Sequence, residues 1–491
     1  MVSADSELSK TRAVPLIFAN PACVHHLSPV HLAYFETAPE KAPAIRSAMR
    51  ILKGMKYFLV TYGCQMNQSD AERIAAVLEE LGFEKTENEA EANILGVVAC
   101  SVRQTSINRV YGRIVAWNER RDRERVITFV SGCILDRDRK KFAKLYDLQF
   151  SIEELPQLPG LLATYGVPFV PRHSLASDNE RTDYWKIAPL CGSEVQAWIP
   201  IQNGCNRFCA YCAVPYTRGR EVSRDAREIL DEISRLLGQG YRRFTLLGQN
   251  VNSYGRDREG SLPVFARLLD DAADIIEKSG REALIHFTSP HPSDMSRDVF
   301  EVMRARRAVA RQVHLPLQSG DDAVLSRMRR SYTLSRYREI IGWIRELVPE
   351  ASLFTDIIVG FPGESEAEFE NTRLAMEEFQ FDMAFVAMYS PRPGTAGSKM
   401  KDDVPQAEKN RRLHVLADLL KETAGRRKAG MVGRIERVLV DGIVSPGVYS
   451  ARTGGLIPVH ITDPSAGLAA GMFVDTEITA ASPMSLAGRL V

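Results

Sequence analysis

The chain has 491 residues, is 45% hydrophobic and 25% charged, and carries a net charge of +1 at neutral pH. This length allows about two to four domains with sizeable cores; the balance excludes a disordered or collagenous chain, and near-neutrality excludes a global electrostatic grip on nucleic acid, leaving only a local basic face for that purpose. Eight cysteines are too few for a disulfide scaffold, no apolar run reaches the length of a membrane span, and the first residues lack a signal peptide's basic start and apolar core, so the reading expects a cytoplasmic protein that uses its thiols as ligands.

Residues 1–54 match no pattern and are set apart as an N-terminal extension. Cys23 within it, and Cys191 later, have no partner pattern and are treated as incidental. A first domain is expected over 55–170. Three β-prone runs, Tyr57–Gly63, Ala92–Ala99 and Val126–Gly132, each end directly before a cysteine: Cys64, Cys100 and Cys133. Helix-patterned stretches separate them. Ser69-Asp-Ala-Glu72 has the form of a capping box opening Ile74–Leu81, and Val102–Arg120 is the second stretch. Strands alternating with helices imply a parallel sheet, and in such sheets ligands collect at the carboxyl ends of the strands. The three cysteines are therefore expected to converge on one spot. The competing reading is three buried small hydrophobes, the ordinary fate of a free cysteine.

From Glu194 the alternation restarts. Strands are expected at Val195–Gln202, Phe244–Val251, Leu284–Ser289, Gln312–Gln318, Leu353–Gly360 and Ala384–Tyr389, with helices at Arg227–Leu237, Val264–Glu277, Tyr337–Leu347 and Glu366–Phe379. Six such βα units predict a partial TIM-like barrel over 190–425, two units short of closure. Directly after its first strand stands Cys205-Asn-Arg-Phe-Cys209-Ala-Tyr-Cys212. Three thiolates crowded together hold three corners of a cubane 4Fe-4S cluster and leave the fourth iron open to bind and reduce something. A structural zinc site wants four ligands, and no fourth Cys or His follows at knuckle spacing.

Beyond the barrel, Glu408–Gly430 is helical in pattern and rich in Lys and Arg. Short β-prone runs broken by glycine follow, Ile435–Val440, Gly455–Ile461 and Met472–Thr479, and predict a small all-β barrel over 428–491. Small barrels beside basic segments contact RNA phosphates. Arg426, Arg427 and Lys428 are the expected contacts, and a solvated helix face is the alternative.

Several long motifs stand in order along the chain: Tyr62-Gly-Cys-Gln-Met-Asn-Gln-Ser-Asp70, Arg218-Gly-Arg-Glu-Val-Ser-Arg224, Leu246-Leu-Gly-Gln-Asn-Val-Asn-Ser-Tyr254, Ser289-Pro-His-Pro292, His314-Leu-Pro-Leu-Gln-Ser-Gly320, Thr355-Asp-Ile-Ile-Val-Gly-Phe-Pro-Gly-Glu364 and Tyr389-Ser-Pro-Arg-Pro-Gly-Thr395. With the two cysteine triplets they resemble the methylthiotransferase family of radical S-adenosylmethionine (SAM) enzymes, from Met55 to the C-terminus. Within that family the chain is similar to the MiaB type, which adds a methylthio group to isopentenyladenosine at tRNA position 37. Two features depart from the family pattern: Val98-Ala99 replaces the usual Asn-Thr before the second cysteine, and Ile134-Leu135 follows the third in place of small polar residues.

The resemblance implies a cluster on Cys205, Cys209 and Cys212 that cleaves SAM to a 5′-deoxyadenosyl radical, and a second 4Fe-4S cluster on Cys64, Cys100 and Cys133 as the sulfur site. SAM would be both radical source and methyl donor, held by Tyr211, Gly248, Gln249, Asn250, Gln318 and Gly360. It implies a TRAM-like C-terminal domain, a tRNA carrying isopentenyladenosine, an electron donor such as flavodoxin or ferredoxin, and a monomer. No side-chain acid or base is expected, because an aromatic C–H bond of adenine yields only to cofactor-borne radical chemistry. Alternative substrates are threonylcarbamoyladenosine in tRNA, whose enzymes differ in the segment Gly248-Gln-Asn-Val-Asn-Ser253, and a ribosomal protein side chain, whose enzymes carry a Cys-Pro-Lys-Asn type of sequence at Cys64-Gln-Met-Asn67. A non-catalytic two-cluster electron carrier is the alternative of another class; it would need neither open irons nor a barrel.

Overall fold

The computed structural model describes residues 54–491 apart from 102–103, 125, 168–182, 259 and 263. The expected extension, Gly54 aside, and Cys23 lie outside the described residues.

A parallel sheet forms the first unit. Its central strands are β1 (Lys56–Thr61), β2 (Ile94–Cys100) and β3 (Ile127–Cys133), flanked by the two-residue strands Glu84–Lys85 and Leu148–Gln149. Every pairing is parallel. β2 is buried on both faces, which its uninterrupted apolar run Ile94–Ala99 dictates. Helix α1 (Gln65–Glu80) begins earlier than the capping-box pattern predicts. Cys64 is its N-cap residue, no proline or glycine interrupts Gln65–Gln68, and the helix runs through Ser69. Ser69 instead accepts a hydrogen bond from Arg73 Nη1 at 2.7 Å. Helix α2 (Gln104–Arg121) covers the sheet with Ile107, Val110, Ile114 and Trp117 inward.

The second unit is an open arc of six parallel strands: β4 (Gln196–Pro200), β5 (Arg243–Leu247), β6 (Leu284–Phe287), β7 (Gln312–His314), β8 (Ser352–Val359) and β9 (Met383–Met388). The halves β6-β5-β4 and β7-β8-β9 are joined by a parallel bridge between Ile285 and Val309, with Ala310 N–H donating to Ile285 O at 2.9 Å. Helices α3 (Ala226–Gly238), α4 (Phe265–Lys278), α5 (Arg297–Ala305), α6 (Leu334–Leu347) and α7 (Glu366–Phe379) lie outside the arc. Their apolar stripes, Ile229 and Ile233, Leu268 and Leu269, Ile340 and Ile344, Phe369 and Met376, share one core with alternate strand residues such as Ile199, Leu246, Val313 and Ile357. The other strand residues face the lumen. Ser365 opens α7 with a capping box completed by Glu368.

Helix α8 (Gln406–Ala429) packs across β9 and leads into a closed barrel of β10 (Ile435–Ser445), β11 (Val448–Thr453), β12 (Pro458–Thr462), β13 (Phe473–Ala481) and β14 (Leu486–Leu490), in spatial order β10-β11-β12-β14-β13. This barrel docks on the amino-terminal ends of the arc strands. Arg311 N–H donates to Gly454 O at 2.8 Å, Ser352 Oγ donates to Gly455 O at 2.5 Å, and Arg243 pairs with Asp441 at 2.5 Å.

The basic run of α8 is not one solvated face. Lys409, Arg412 and Lys428 are buried: Lys409 pairs with Asp402, Arg412 with Glu364, and Lys428 Nζ donates to Asp382 O at 2.9 Å. Arg427 is held by Asp382 at 2.7 Å. Of the three expected RNA contacts only Arg426 is well exposed, which corrects Arg427 and Lys428: both charges are spent locking α8 to the start of β9. Lys428→Glu should therefore set a second carboxylate beside Asp382 and cost about 3–5 kcal/mol of stability. Arg426→Glu should stay within about 0.5 kcal/mol of the parent. Urea denaturation of the two variants measures the difference.

Candidate active site

Cys64, Cys100 and Cys133 meet at the carboxyl edge of the first sheet. Cys100 and Cys133 are register partners at the ends of β2 and β3, and Cys64 follows β1 at the amino end of α1. The buried Asn67, in the first turn of α1, ties Cys64 to Cys133. Its Oδ1 lies 3.5 Å from Cys64 Sγ and 3.9 Å from Cys133 Sγ, and its Nδ2 donates to Ala99 O at 2.9 Å. Gly132, at φ +102°, admits this side chain: a Cβ there would fall 2.9 Å from Asn67 Nδ2.

The second unit supplies a cation to the same spot. Arg218, buried, donates from Nε to Cys133 Sγ at 2.8 Å, from Nη1 to Asn203 Oδ1 at 3.1 Å and from Nη2 to Asp70 at 2.5 Å. A hydrogen bond with Cys100, then burial, pushes the Cys133 thiol well above its ordinary range, and the Arg218 charge pulls it back. Burial pushes the Asp70 carboxyl up, again opposed by Arg218. Arg218 belongs to a motif singled out in the sequence, but its partners Asp70 and Cys133 stand 148 and 85 residues away in the chain.

Cys205, Cys209 and Cys212 stand at the carboxyl end of the arc, beyond β4. Gly204, at φ +81°, turns the chain into this loop where a Cβ would collide with Arg220 O. Burial pushes the Cys205 thiol up to about 11 and the Cys212 thiol to about 12. Arg330 reaches Cys209 Sγ from Nη1 at 3.4 Å and stacks on Tyr332, its guanidinium carbon 5.0 Å from the ring centroid. Among the described residues no three His, Cys, Asp or Glu side chains already close into a metal cage. What suits both triplets to iron–sulfur ligation is donor chemistry: three soft thiols each, with no fourth protein ligand among them, whose ionisation a bound cation would favour.

The mouth of the arc also gathers unpartnered polar atoms. Gln249 has neither amide atom satisfied, and Gln202 Oε1, Asn250 Oδ1, Gln318 Oε1 and His291 Nε2 are likewise buried without a partner. Each such group costs about 1–3 kcal/mol when left unmade, so their gathering at the strand ends suits a ligand rich in donors and acceptors. SAM, with its amino, carboxylate, ribose and adenine groups, fits that description. Backbone strain concentrates here too. Of six non-glycine residues at positive φ among the described residues, Phe208, Ser289, Gln318 and Arg329 flank this mouth.

The expected SAM contacts are placed as follows. Gly248, Gln249 and Asn250 follow β5, and a Cβ at Gly248 would come 2.9 Å from Gln202 Oε1. Tyr211 is half-buried and packs with Phe361 and Tyr389. Gln318 binds the backbone of β8, its N–H donating to Asp356 O at 2.8 Å. Gly360 differs from expectation. At φ +69° its open side is filled by the alkyl chain of Lys409, and its N–H donates to Glu364, so its missing Cβ makes room for a lysine of α8 rather than for a nucleoside.

Residues 199–375 match the Radical SAM superfamily, and residues 56–152 match a family described as Uncharacterized protein family UPF0004. The chain is 39% identical over 398 residues to the tRNA-2-methylthio-N(6)-dimethylallyladenosine synthase of Carboxydothermus hydrogenoformans, covering 79% of this chain and 88% of that protein. It is 36% identical over 452 residues to the synthase of the same name from Dictyoglomus thermophilum, covering 89% and 98%. Among solved structures it resembles the radical SAM methyltransferase TsrM from Kitasatospora setae with cobalamin and a [4Fe-4S] cluster bound, at a TM-score of 0.50 and 13% identity, covering 81% of this chain and 77% of that one.

Two measurements probe the buried charges around the site. Arg218→Met should leave the Asp70 carboxylate buried and unpaired and cost about 3–5 kcal/mol; urea denaturation should show Asp70→Asn recovering part of that loss. Glu72, which accepts a hydrogen bond from Gly192 N–H at 3.0 Å, is pushed up to about 7 by burial. Its folded form holds a proton that the unfolded chain releases above about 4.5. Glu72 therefore favours the fold most at low pH, and that contribution fades as pH rises toward 7. Glu72→Gln should flatten the decline of stability over this window.

Proposed function

The chain belongs to the tRNA-2-methylthio-N(6)-dimethylallyladenosine synthases, radical SAM enzymes of tRNA methylthiolation, and we propose that it converts N(6)-isopentenyladenosine at tRNA position 37 to its 2-methylthio derivative. The observation that carries this reading is a thiol triplet at the carboxyl ends of the strands in each of two units, with Arg218 of the second unit bonded to Asn203 of its own and to Cys133 and Asp70 of the first. A radical SAM domain carries a 4Fe-4S cluster and SAM; when bound, they supply the radical that removes hydrogen from an unactivated adenine carbon.

The protein's own part is placement. Cys205, Cys209 and Cys212 would hold the SAM-binding cluster, and Cys64, Cys100 and Cys133 a second one that is the sulfur site. Asn67 would orient the thiols of Cys64 and Cys133, and Arg218 keeps positive charge beside Cys133. Gln249, Asn250, Gln318 and Tyr211 would contact SAM, and the arc walls would keep water from the reactive centre. The C-terminal barrel and Arg426 would contact tRNA phosphates, which position RNA without reading its sequence. A flavodoxin- or ferredoxin-type donor would supply electrons, and the enzyme would act as a monomer in the cytoplasm beside its tRNA. No helix of the described residues is long and apolar enough to cross a membrane.

Anaerobically reconstituted protein should contain about eight irons and eight sulfides, four for each cubane. Ala at Cys64, Cys100 and Cys133 together should halve that content, spare SAM cleavage to 5′-deoxyadenosine and abolish methylthiolation. Mass spectrometry of tRNA nucleosides from cells lacking the protein should show isopentenyladenosine without its methylthio derivative. Equal activity on tRNA lacking the isopentenyl group, or on a ribosomal protein, would overturn the assignment.

A further inference from the structure

The inner wall of the arc carries a patch that neither thiol triplet uses. Along β8, Leu353, Ile357 and Val359 enter the core shared with the outer helices, so Phe354, Asp356 and Ile358 face the lumen. On β9, Ala384 packs outward, and Phe385 faces inward opposite Asp356 in the register. His314 of β7 sets Nε2 2.9 Å from Asp356 Oδ2, and its ring lies 5.8 Å from that of Phe385, tilted by 51°. Phe385 is 53% exposed, although it sits mid-strand inside an enzyme barrel. The side chain of Asp356 is 37% exposed and that of His314 18%. A bare aromatic ring, a carboxylate and an imidazole thus form one accessible surface. It lies just below Gln318, whose buried Oε1 has no partner. Elsewhere on the lumen wall, His286 hydrogen-bonds Thr245 at 2.6 Å and leaves Nδ1 buried and unpartnered.

A structural role accounts poorly for this patch. A lone Phe on a barrel wall is normally covered by neighbours, and β9 is the last strand of an arc that lacks two units, so its lumen side stays open. We propose that Phe385, Asp356 and His314 seat the target nucleobase, resting on the tRNA reading above. Phe385 would lie against the base and its branched apolar N6 substituent. Asp356, held by His314, would accept the single N6–H hydrogen bond that such a secondary amine offers. The adenine of SAM has a primary amine and no apolar substituent, so it would leave the Phe385 ring half-bare.

Anticodon stem-loop RNAs carrying isopentenyladenosine or plain adenosine, given to the reconstituted holoenzyme, test the assignment. Phe385→Ala should raise the KM for the isopentenylated RNA at least tenfold and collapse the preference over the plain one. Phe385→Trp should restore most of it, and Asp356→Asn should lower kcat/KM for both RNAs. The dissociation constant for SAM should stay within twofold in all three. Unchanged discrimination in Phe385→Ala sinks the patch while leaving the tRNA reading intact, and weakened SAM binding reassigns the patch to SAM. A parent enzyme that fails to prefer the isopentenylated RNA removes the tRNA reading and the patch with it.

Discussion

Everything at the centre of this molecule hangs on charges buried between the first unit and the arc. Arg218 of the arc reaches Asp70 of the first unit, and Arg73 of the first unit reaches Glu232 of the arc at 3.2 Å, with Arg224 on the other oxygen of Glu232. Arg73 and Glu232 are almost wholly withdrawn from water. Burying ions costs several kcal/mol per group unless each meets its counter-ion in good geometry, so such pairs specify an arrangement more than they stabilise it. Here a slide of one unit over the other would strand several charges at once. The two units are therefore held in one arrangement, and Cys133 is kept against a guanidinium of the opposite unit.

Held in that way, the mouth tolerates local disorder of the rules. Strained backbone at Phe208, Ser289 and Gln318, the unsatisfied amide of Gln249 and the unpartnered Oδ1 of Asn250 would each be unfavourable in an ordinary core. They persist because the helices outside the arc are packed conventionally, with apolar stripes on α3, α4 and α6 closing a continuous core. Stability is made on the outer face of each strand and spent on the inner one.

Much of this was legible beforehand, for definite reasons. The six arc strands are short apolar runs between amphipathic helices, and all six form, each within a few residues of its expected bounds. The cysteines at strand ends were visible because a parallel sheet brings its carboxyl ends together whatever the loop lengths. Three things were not visible. Reading α8 as a charge run treats every Lys and Arg alike, yet helix phase turns Lys409, Arg412 and Lys428 inward. The form S-x-x-E at Ser69 looked like a helix start, and nothing local says that the helix has already begun at Cys64. Arg218 and Asp70 find each other only in three dimensions, and no periodicity couples residues so far apart.

That separation has a temporal side. A ribosome delivers Asp70 and Arg73 well before their partners, which lie 148 and 159 residues further on. At synthesis rates of roughly 5–20 residues per second, the first sheet waits on the order of ten seconds with its interface charges unmet. During that interval the carboxyl edge of the first sheet is without the guanidinium that later lies against Cys133. Once the arc folds, Arg218 covers Cys133, while Cys64 at the same edge stays exposed. The order of residues along the chain thus places the pairing of the two units after the first sheet is made.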